Sequence, residues 1–255
     1  MHLSVVIIVS KNDATGTEAT LKSIQPIAGE MVLYDVSKTD FSEKAAIRFG
    51  ARVYHGVWNG YDHVRSSAAE KATHDWVLML HTGEVVDEVL CEAIRQIDLA
   101  GIDKAYRMQF KNFFRGKWLR HGEWGNEWHI RMANKKRIQI PDSGINESLI
   151  ISQGVCIENL EGFILHNTVK DKKELAWKMK REAFFAAAKY HLQGKKAARI
   201  KMIVSPVAAF IKNYFFKLGI LDGAKGLVFS RFYAWYHFIK YARLRQLNKM
   251  IKTPL

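Results

Sequence analysis

The run Leu3-Ser-Val-Val-Ile-Ile-Val9 is apolar apart from its serine and is rich in β-branched residues. Such a run is typical of a strand that is buried on both faces of a parallel sheet. Similar short runs follow at 31–36, 52–54 and 76–80, and helical patterns at 15–23, 41–49 and 62–72 separate them. This alternation predicts an α/β fold with a doubly wound, mostly parallel sheet.

The pattern changes after a fourth helical stretch at 86–99. Strand-like runs at 105–114 and 128–132 surround a connector rich in Gly, Trp and Arg, and further strand-like pieces reach residue 165. From Asp171 onward the pattern is helical, with predicted breaks at Gly194, Pro206, Gly219, Gly223 and Gly226. We therefore expect an α/β domain over 1–170 and a helical C-terminal region over 171–255.

The C-terminal region carries nearly all of the net charge. From Lys195 to Leu255 there are thirteen Lys or Arg residues and one acid, Asp222, so this tail supplies +12 of the formal +14. Basic residues interleaved with aromatic ones predict a helical appendage that lies on an anionic membrane surface. The apolar stretches are shorter than the roughly 20 residues that a spanning helix needs. Packing of the aromatics on the main domain is one alternative, and nucleic acid is a less favoured one because no binding module accompanies the charges.

The cysteine count and the N-terminus bear on the compartment. Cys91 and Cys156 form neither a metal-ligand spacing nor a disulfide framework, and no basic segment precedes an apolar core at Met1. We expect a cytoplasmic protein, peripheral on the inner face of the cell membrane.

Candidate ligand-binding residues follow the predicted parallel strands. In doubly wound sheets the ligand lies beyond the carboxyl ends of the strands. Asp13, Asp35 and the tetrapeptide His81-Thr-Gly-Glu84 occupy those positions. No P-loop or dinucleotide glycine fingerprint is present in the sequence.

Several motifs resemble those of family 2 glycosyltransferases, and the resemblance covers nearly the whole chain. They are Leu3–Asp13, Asp35-Val-Ser-Lys-Thr-Asp40, Gly50-Ala-Arg-Val53, Asp75–Leu80 with Glu84, Trp118-Leu-Arg-His-Gly122, Trp124, Trp128 with Arg131, Asn146-Glu147, Leu165-His166, Asp171, Tyr214–Gly223 and Phe238–Ala242. The later motifs are similar to the branch that adds sugars to the lipopolysaccharide core. The resemblance implies a nucleotide-diphospho-sugar transferase fold of the GT-A type. It also implies an inverting enzyme with a nucleotide-sugar donor and a lipid-linked glycan acceptor.

The same resemblance assigns the donor side. Asp13 and Asp35 fall where acidic residues meet the nucleoside, although Asp13 could equally cap a helix. Arg65 is available for a phosphate, its alternative being a solvated helix cation. His166 matches a histidine that touches the diphosphate, or it is structural.

The metal loop departs from the family pattern. Two aspartates separated by one residue are usual there, whereas this chain has His81 and Gly83 in a loop that ends at Glu84. A divalent metal, Mn²⁺ or Mg²⁺, would keep only His81 and Glu84, a poorer set for a cation that prefers oxygen. In the alternative, Glu84 caps or solvates the next helix.

The acceptor side keeps more of the pattern. Glu127 lies where relatives carry an aspartate that resembles a catalytic base, and flanking indoles would partly desolvate its carboxylate. Arg131 orients the site or contacts phosphate, or it forms a strand-edge ion pair. Trp124 and Trp128 could stack on sugars or fill the core. Glu147 completes the predicted acceptor residues.

Two functions therefore stand. The chain is a glycosyltransferase with a degenerate metal motif, or it is a non-catalytic relative that binds a nucleotide, a glycan or a partner at the membrane.

Overall fold

The computed structural model describes residues 2–10, 13–37, 41–58, 60–139, 149–169 and 171–250. The contacts divide the chain into two compact units. The first unit is Met1–Phe110 with Glu127–His166, and the second is Lys111–Asn126 with Asn167–Leu255. The second unit thus includes residues 111–126, which lie before the boundary predicted at residue 170.

Strands and helices alternate through the first part of the chain. The strands are β1 (Leu3–Val9), β2 (Glu30–Asp35), β3 (Arg52–His55), β4 (Trp76–His81), β5 (Glu84–Val86), β6 (Lys104–Phe114), β7 (Lys117–Trp118), β8 (Glu127–Asn134), β9 (Ile138–Gln139), β10 (Ile150–Ile151) and β11 (Cys156–Val169). The helices are α1 (Ala14–Ile24), α2 (Phe41–Phe49), α3 (Tyr61–Glu70), α4 (Glu88–Arg95), α5 (Lys172–Leu192), α6 (Arg199–Ile211) and α7 (Ala224–Met250).

Among the described residues, nine strands form one sheet whose main path is β3-β2-β1-β4-β8-β6-β11-β5, with β7 paired to β6. The pairs β2–β3, β1–β2 and β1–β4 are parallel. The pairs β4–β8, β6–β8 and β5–β11 are antiparallel. The predicted parallel sheet is confirmed for β1 to β4, and an antiparallel extension is added to it.

Alternation along β1 explains why its apolar run is continuous. Val5 and Ile7 face a core that includes side chains of α1, α2 and α4, whereas Val6 and Ile8 face a core that includes α3. All seven residues of β1 are buried. Helices therefore cover both faces of the sheet, and the predicted doubly wound α/β class is confirmed.

The second unit has its own apolar core. Phe114, Leu119, Trp124 and Val169 pack with Leu175 and Met179 of α5 and Phe229 of α7. Helix α7 packs against both α5 and α6. A π-helical turn at Lys212–Phe216 and a 3-10 turn at Gly219–Asp222 connect α6 to α7.

Some predicted boundaries were wrong. The helix expected at 86–99 is the shorter α4, and the three-residue strand β5 precedes it. Pro206 lies inside α6. Gly226 lies inside α7, where a Cβ atom would come within 1.9 Å of the Gly219 carbonyl oxygen. Gly226 therefore permits a close backbone approach and does not end a helix.

Candidate active site

Asp35 ends β2 at the carboxyl edge of the parallel strands, and its side chain is fully buried. One oxygen accepts hydrogen bonds from the Ser37 amide and hydroxyl at 2.6 and 2.7 Å, and the other accepts one from the Ser42 hydroxyl at 2.6 Å. Burial raises the pKa of Asp35, but the bonds from Ser42 and Ser37 outweigh it and hold the pKa below its ordinary value. Asp35 thus fixes the loop after β2 and the start of α2, and its contact with a nucleoside stays a prediction.

Asp13 caps helix α1. Its Oδ1 accepts a hydrogen bond from the Gly16 amide at 3.0 Å, as the capping alternative expects. The carboxylate also lies beside the loop after β4, because a Cβ atom on Gly83 would be 4.0 Å from its Oδ2. One residue can therefore both start the helix and line this edge of the sheet.

The loop after β4 folds back on itself. Gly83 has φ +85°, a left-handed conformation that glycine adopts without strain. The Gly83 amide donates to Thr20 Oγ1 at 3.0 Å, and the His81 amide donates to Glu84 Oε2 at 2.9 Å. Glu84 is thereby turned toward the interior, and it neither caps nor solvates α4, whose N-cap is Asp87. That alternative for Glu84 was wrong.

Glu84 and Arg131 form a buried ion pair. Arg131 Nη2 donates to Glu84 Oε1 at 2.8 Å, and the two side chains are only 4% and 2% exposed. Arg131 is the extra residue of a β-bulge, since Met132 lies opposite Tyr106 and Ile130 lies opposite Arg107. Bulges re-aim side chains, which explains how a strand residue reaches β5. Within the described part of the chain, Nε and Nη1 of Arg131 have no hydrogen-bond partner.

His81 faces a second buried arginine. Arg65 of α3 is 3% exposed, and its Nη2 lies 3.2 Å from His81 Nε2. Because arginine only donates, Nε2 is the acceptor in this contact, and its lone pair points at a cation. A metal ion on that nitrogen would displace the guanidinium.

His81 and Glu84 therefore do not fit the divalent metal that the resemblance implies. The Glu84 carboxylate already accepts hydrogen bonds from Arg131 and from the His81 amide. His81 Nε2 is already in contact with Arg65. In the described ranges, no group of three His, Cys, Asp or Glu side chains could hold a metal ion. The positive charge at this loop belongs to Arg65 and Arg131.

Glu127 is held by a histidine that the sequence analysis missed. His129 Nε2 lies 2.8 Å from Glu127 Oε1, and both side chains are largely buried, at 16% and 23% exposure. Residues two apart on a strand share a face, so the spacing along β8 was the signal for this pair. Leu78 lies opposite Met132, so the antiparallel β8 begins level with the loop that follows β4.

The ring of Phe110 joins these groups. Its centroid lies 5.1 Å from that of His129, 6.4 Å from that of His166, and 4.9 Å from the Arg131 guanidinium carbon. His166 lies opposite Glu84 in the β5–β11 register. We name this set the Phe110 cluster; it consists of Glu84, Phe110, Glu127, His129, Arg131 and His166.

The tryptophans do not flank Glu127 as expected. Trp128 points to the opposite face of β8, where Arg107 lies 5.4 Å from its ring. Trp124 is 6% exposed in the core of the second unit, 4.4 Å from the Phe229 ring. The prediction that Trp124 stacks on a sugar is corrected, because its faces are covered. Trp128 stays a predicted acceptor residue, and Glu147 lies outside the described residues.

Curated relatives match the chain over almost all of its length. An uncharacterized glycosyltransferase of Rickettsia typhi is 25% identical over 94% of this chain and 86% of its own length. A second, from Rickettsia conorii, is 23% identical over 97% of this chain and 92% of its own length. No family model matches the chain.

Solved structures give weaker likenesses. Staphylococcus aureus TarS, residues 1–349, aligns with a TM-score of 0.47 and 13% identity over 98% of this chain and 91% of that one. Glucosyl-3-phosphoglycerate synthase from Mycobacterium tuberculosis, in complex with uridine diphosphate, aligns with a TM-score of 0.34. It is 21% identical over 45% of each chain.

Proposed function

We propose that this chain is a glycosyltransferase that moves a sugar from a nucleotide-sugar donor to a lipid-linked glycan such as lipopolysaccharide core. The observation that carries the proposal is the hydrogen-bonded Glu127–His129 pair at the edge of the sheet where β4 ends. A carboxylate and buried arginines at one edge supply a base and the charge that a diphosphate needs. The rickettsial relatives support the same class of activity.

Glu127 is the proposed general base. The acceptor hydroxyl would give its proton to the Glu127 carboxylate while its oxygen bonds to the anomeric carbon. The bond from that carbon to the diphosphate breaks at the same time, and the electron pair leaves with the nucleoside diphosphate. One displacement from the opposite face inverts the anomeric configuration. His129 holds the carboxylate in place, so it is a positioning residue.

The leaving diphosphate needs positive charge, and two buried guanidinium groups are positioned to provide it. Arg65 lies against the loop after β4 and Arg131 belongs to the Phe110 cluster. Guanidinium groups bind phosphate oxygens in a fixed, planar geometry. Asp13, Asp35 and His166 are the further donor residues in this proposal.

Titration calorimetry and a transfer assay test the proposal together. Uridine and other nucleoside diphosphates are titrated into the native chain with Mn²⁺, with Mg²⁺ and with chelator, which also tests the predicted divalent metal. Turnover is then measured for Glu127→Gln and for a control, Glu92→Gln, which removes an exposed carboxylate on α4. We expect nucleotide binding in both variants and a loss of about 10²–10⁴-fold in turnover for Glu127→Gln alone. Native turnover in Glu127→Gln would refute the assignment.

A non-catalytic binding protein is the second candidate. The observation that favours it is that Arg65 engages His81 while Arg131 engages Glu84, so the usual metal loop is closed by contacts within the chain. This candidate predicts nucleotide or glycan binding without transfer to any acceptor. Detection of sugar transfer that depends on Glu127 would eliminate it.

The acceptor and the location are proposed from the basic C-terminal region. A lipid-linked acceptor requires the enzyme to meet a membrane surface, and a tail with net charge +12 suits anionic headgroups. Across the described helices, none is both long and apolar enough to cross a bilayer. We propose peripheral attachment at the inner face of the cell membrane.

A further inference from the structure

Helix α6 and the residues after it expose an extended apolar surface. Ile200 and Ile203 are 67% and 71% exposed, and Phe216 is 80% exposed. We name this surface the apolar face; it consists of Ile200, Ile203, Val204, Val207, Ile211, Phe215, Phe216, Leu218, Ile220 and Leu221. Scattered exposed apolar residues are ordinary, but a contiguous set of this size marks an interaction surface.

The apolar face follows the helical repeat. Its members in α6 lie at positions 200, 203, 204, 207 and 211, which at 3.6 residues per turn fall within an arc of about 100°. The buried residue of α6 is Ala209, and the helix packs against α7. The helix therefore already has its partner in the second unit, and the apolar face is its other side.

Positive charge borders the apolar face. Arg199 and Lys201 lie about 100° to either side of Ile200 on the helix, and both are exposed. Lys195, Lys196 and Lys212 are also exposed. The sequence has no acid from 195 to 221, and Asp222 is buried, where it accepts hydrogen bonds from the Arg120 and His121 amides. An apolar stripe with basic borders is complementary to an anionic lipid surface.

Several aromatic and basic side chains of α7 have a different role. In α7, Phe229, Tyr233 and Tyr236 stack on one another with centroids 6.2 and 5.8 Å apart. Lys240 is 6% exposed and lies 5.2 Å from the Tyr190 ring. These side chains build the interior of the helical unit, so they are not available to lipid.

We propose that residues 195–221 form the membrane-docking element, with α6 lying in the plane of an anionic lipid surface and the apolar face buried at the headgroup boundary. It deepens the proposed function by naming the surface that brings the enzyme to a lipid-linked acceptor. A lipid occupant is favoured over nucleic acid because eight of the ten members of the face are aliphatic, so that a base could stack only on Phe215 and Phe216.

Vesicle sedimentation of the full chain tests the proposal. Vesicles contain phosphatidylcholine alone or mixed with phosphatidylglycerol, at low and high salt. Ile203→Glu combined with Val207→Glu places two charges in the apolar face. Ile47→Glu combined with Val89→Glu is the matched control, because both residues are exposed apolar positions of the first unit. We expect the α6 variant to lose about tenfold or more of its partitioning into the mixed vesicles, and the control to stay within about twofold.

Each other outcome overturns the docking proposal. Unchanged partitioning of the α6 variant, equal loss in the control, or no vesicle binding by the native chain would each do so. The proposal would also be overturned if sedimentation equilibrium showed a dimer for the native chain and a monomer for the α6 variant, because a second copy of the chain would then cover the apolar face. Thermal melts verify that the variants fold. Titration of the same variants with uridine diphosphate distinguishes a failure of the docking proposal from a failure of the proposed glycosyltransferase function. Vesicle binding without nucleotide binding would leave the docking element standing and the glycosyltransferase proposal refuted.

Discussion

At the residue scale, the buried ion pair of Arg131 and Glu84 links two separate strands of the first unit. Each is almost fully buried, and each neutralises the other's charge. A buried ion pair adds little stability compared with apolar residues, but removing one partner leaves an uncompensated charge. The pair therefore links β5 to β8, two strands that are not neighbours in the sheet, at the candidate site.

We expect Arg131→Met to lower the free energy of unfolding by about 3–5 kcal/mol, because the Glu84 carboxylate would stay buried without its partner. Adding Glu84→Gln should recover much of that loss, since glutamine is neutral and can still accept from the His81 amide. Urea denaturation of both single variants and the double variant measures the coupling. Additive effects would contradict the pairing.

We expect His237 to make the second unit sensitive to acid. Burial, helped by Lys240 and Lys212, lowers the pKa of His237 from 6.5 to about 4. As the pH falls, His237 takes up a proton near pH 6.5 in the unfolded chain but only near pH 4 in the folded chain. The free energy of unfolding therefore falls as the pH falls through this window. The same element carries Tyr233 and Tyr236, whose pKa values burial raises, so they stay neutral there.

The measurement is the melting temperature between pH 7 and pH 4. We expect the native chain to lose more stability over this range than the His237→Gln variant, because glutamine has no group that takes up a proton. Glutamine can still contact Ser205, whose hydroxyl oxygen lies 3.0 Å from Nδ1 of His237 in the native chain. Parallel curves for the two proteins would show that His237 is not the acid-sensitive group.

At the element scale, the loop between β4 and β5 depends on one glycine. Gly83→Ala should lower the free energy of unfolding by about 1–2 kcal/mol, because alanine is strained in the left-handed backbone conformation at this position. The added Cβ atom would itself meet only ordinary contact distances. Gly50→Ala is the matched control, with φ +68° and open space around the Cβ. Both variants should lose similar stability in chemical denaturation, but only Gly83→Ala should weaken nucleotide binding in calorimetry. Equal nucleotide affinities would remove this loop from the proposed donor site.

The elements also show which patterns are readable from sequence. Strand β1 is buried on both faces, so its apolar run was sufficient to predict it. Strand β5 has three residues, too few for any periodicity, and its place depends on pairing with β11. The position of His129 beside Glu127 could have been predicted, because residues two apart on a strand share a face. The bulge at Arg131 could not, because it depends on the pairing with β6.

At the scale of the whole molecule, the second unit joins two distant parts of the chain. Phe114, Leu119 and Trp124 reach their core only through α5 and α7. We expect a chain that ends at residue 170 to aggregate, because these side chains would lose Leu175, Met179 and Phe229. Light scattering and a fluorescent dye that binds apolar surface measure this.

The same truncated chain with Leu119→Ser and Trp124→Ser is the control, and it should be less prone to aggregate. A monomeric, cooperatively folded 1–170 chain would instead support the boundary predicted from the sequence.

Hydrophobic periodicity, composition and charge were enough to establish the α/β class, the helical C-terminal region and the concentration of positive charge there. These properties follow from the local chain, because burial of strands and helices imposes periods of 2 and 3.6 residues. The partners of Glu84 and His81, the core position of Trp124 and the exposure of the apolar face followed only from the tertiary structure. Strand register, a bulge and helix packing bring together residues that are far apart in sequence, and no local pattern encodes those contacts.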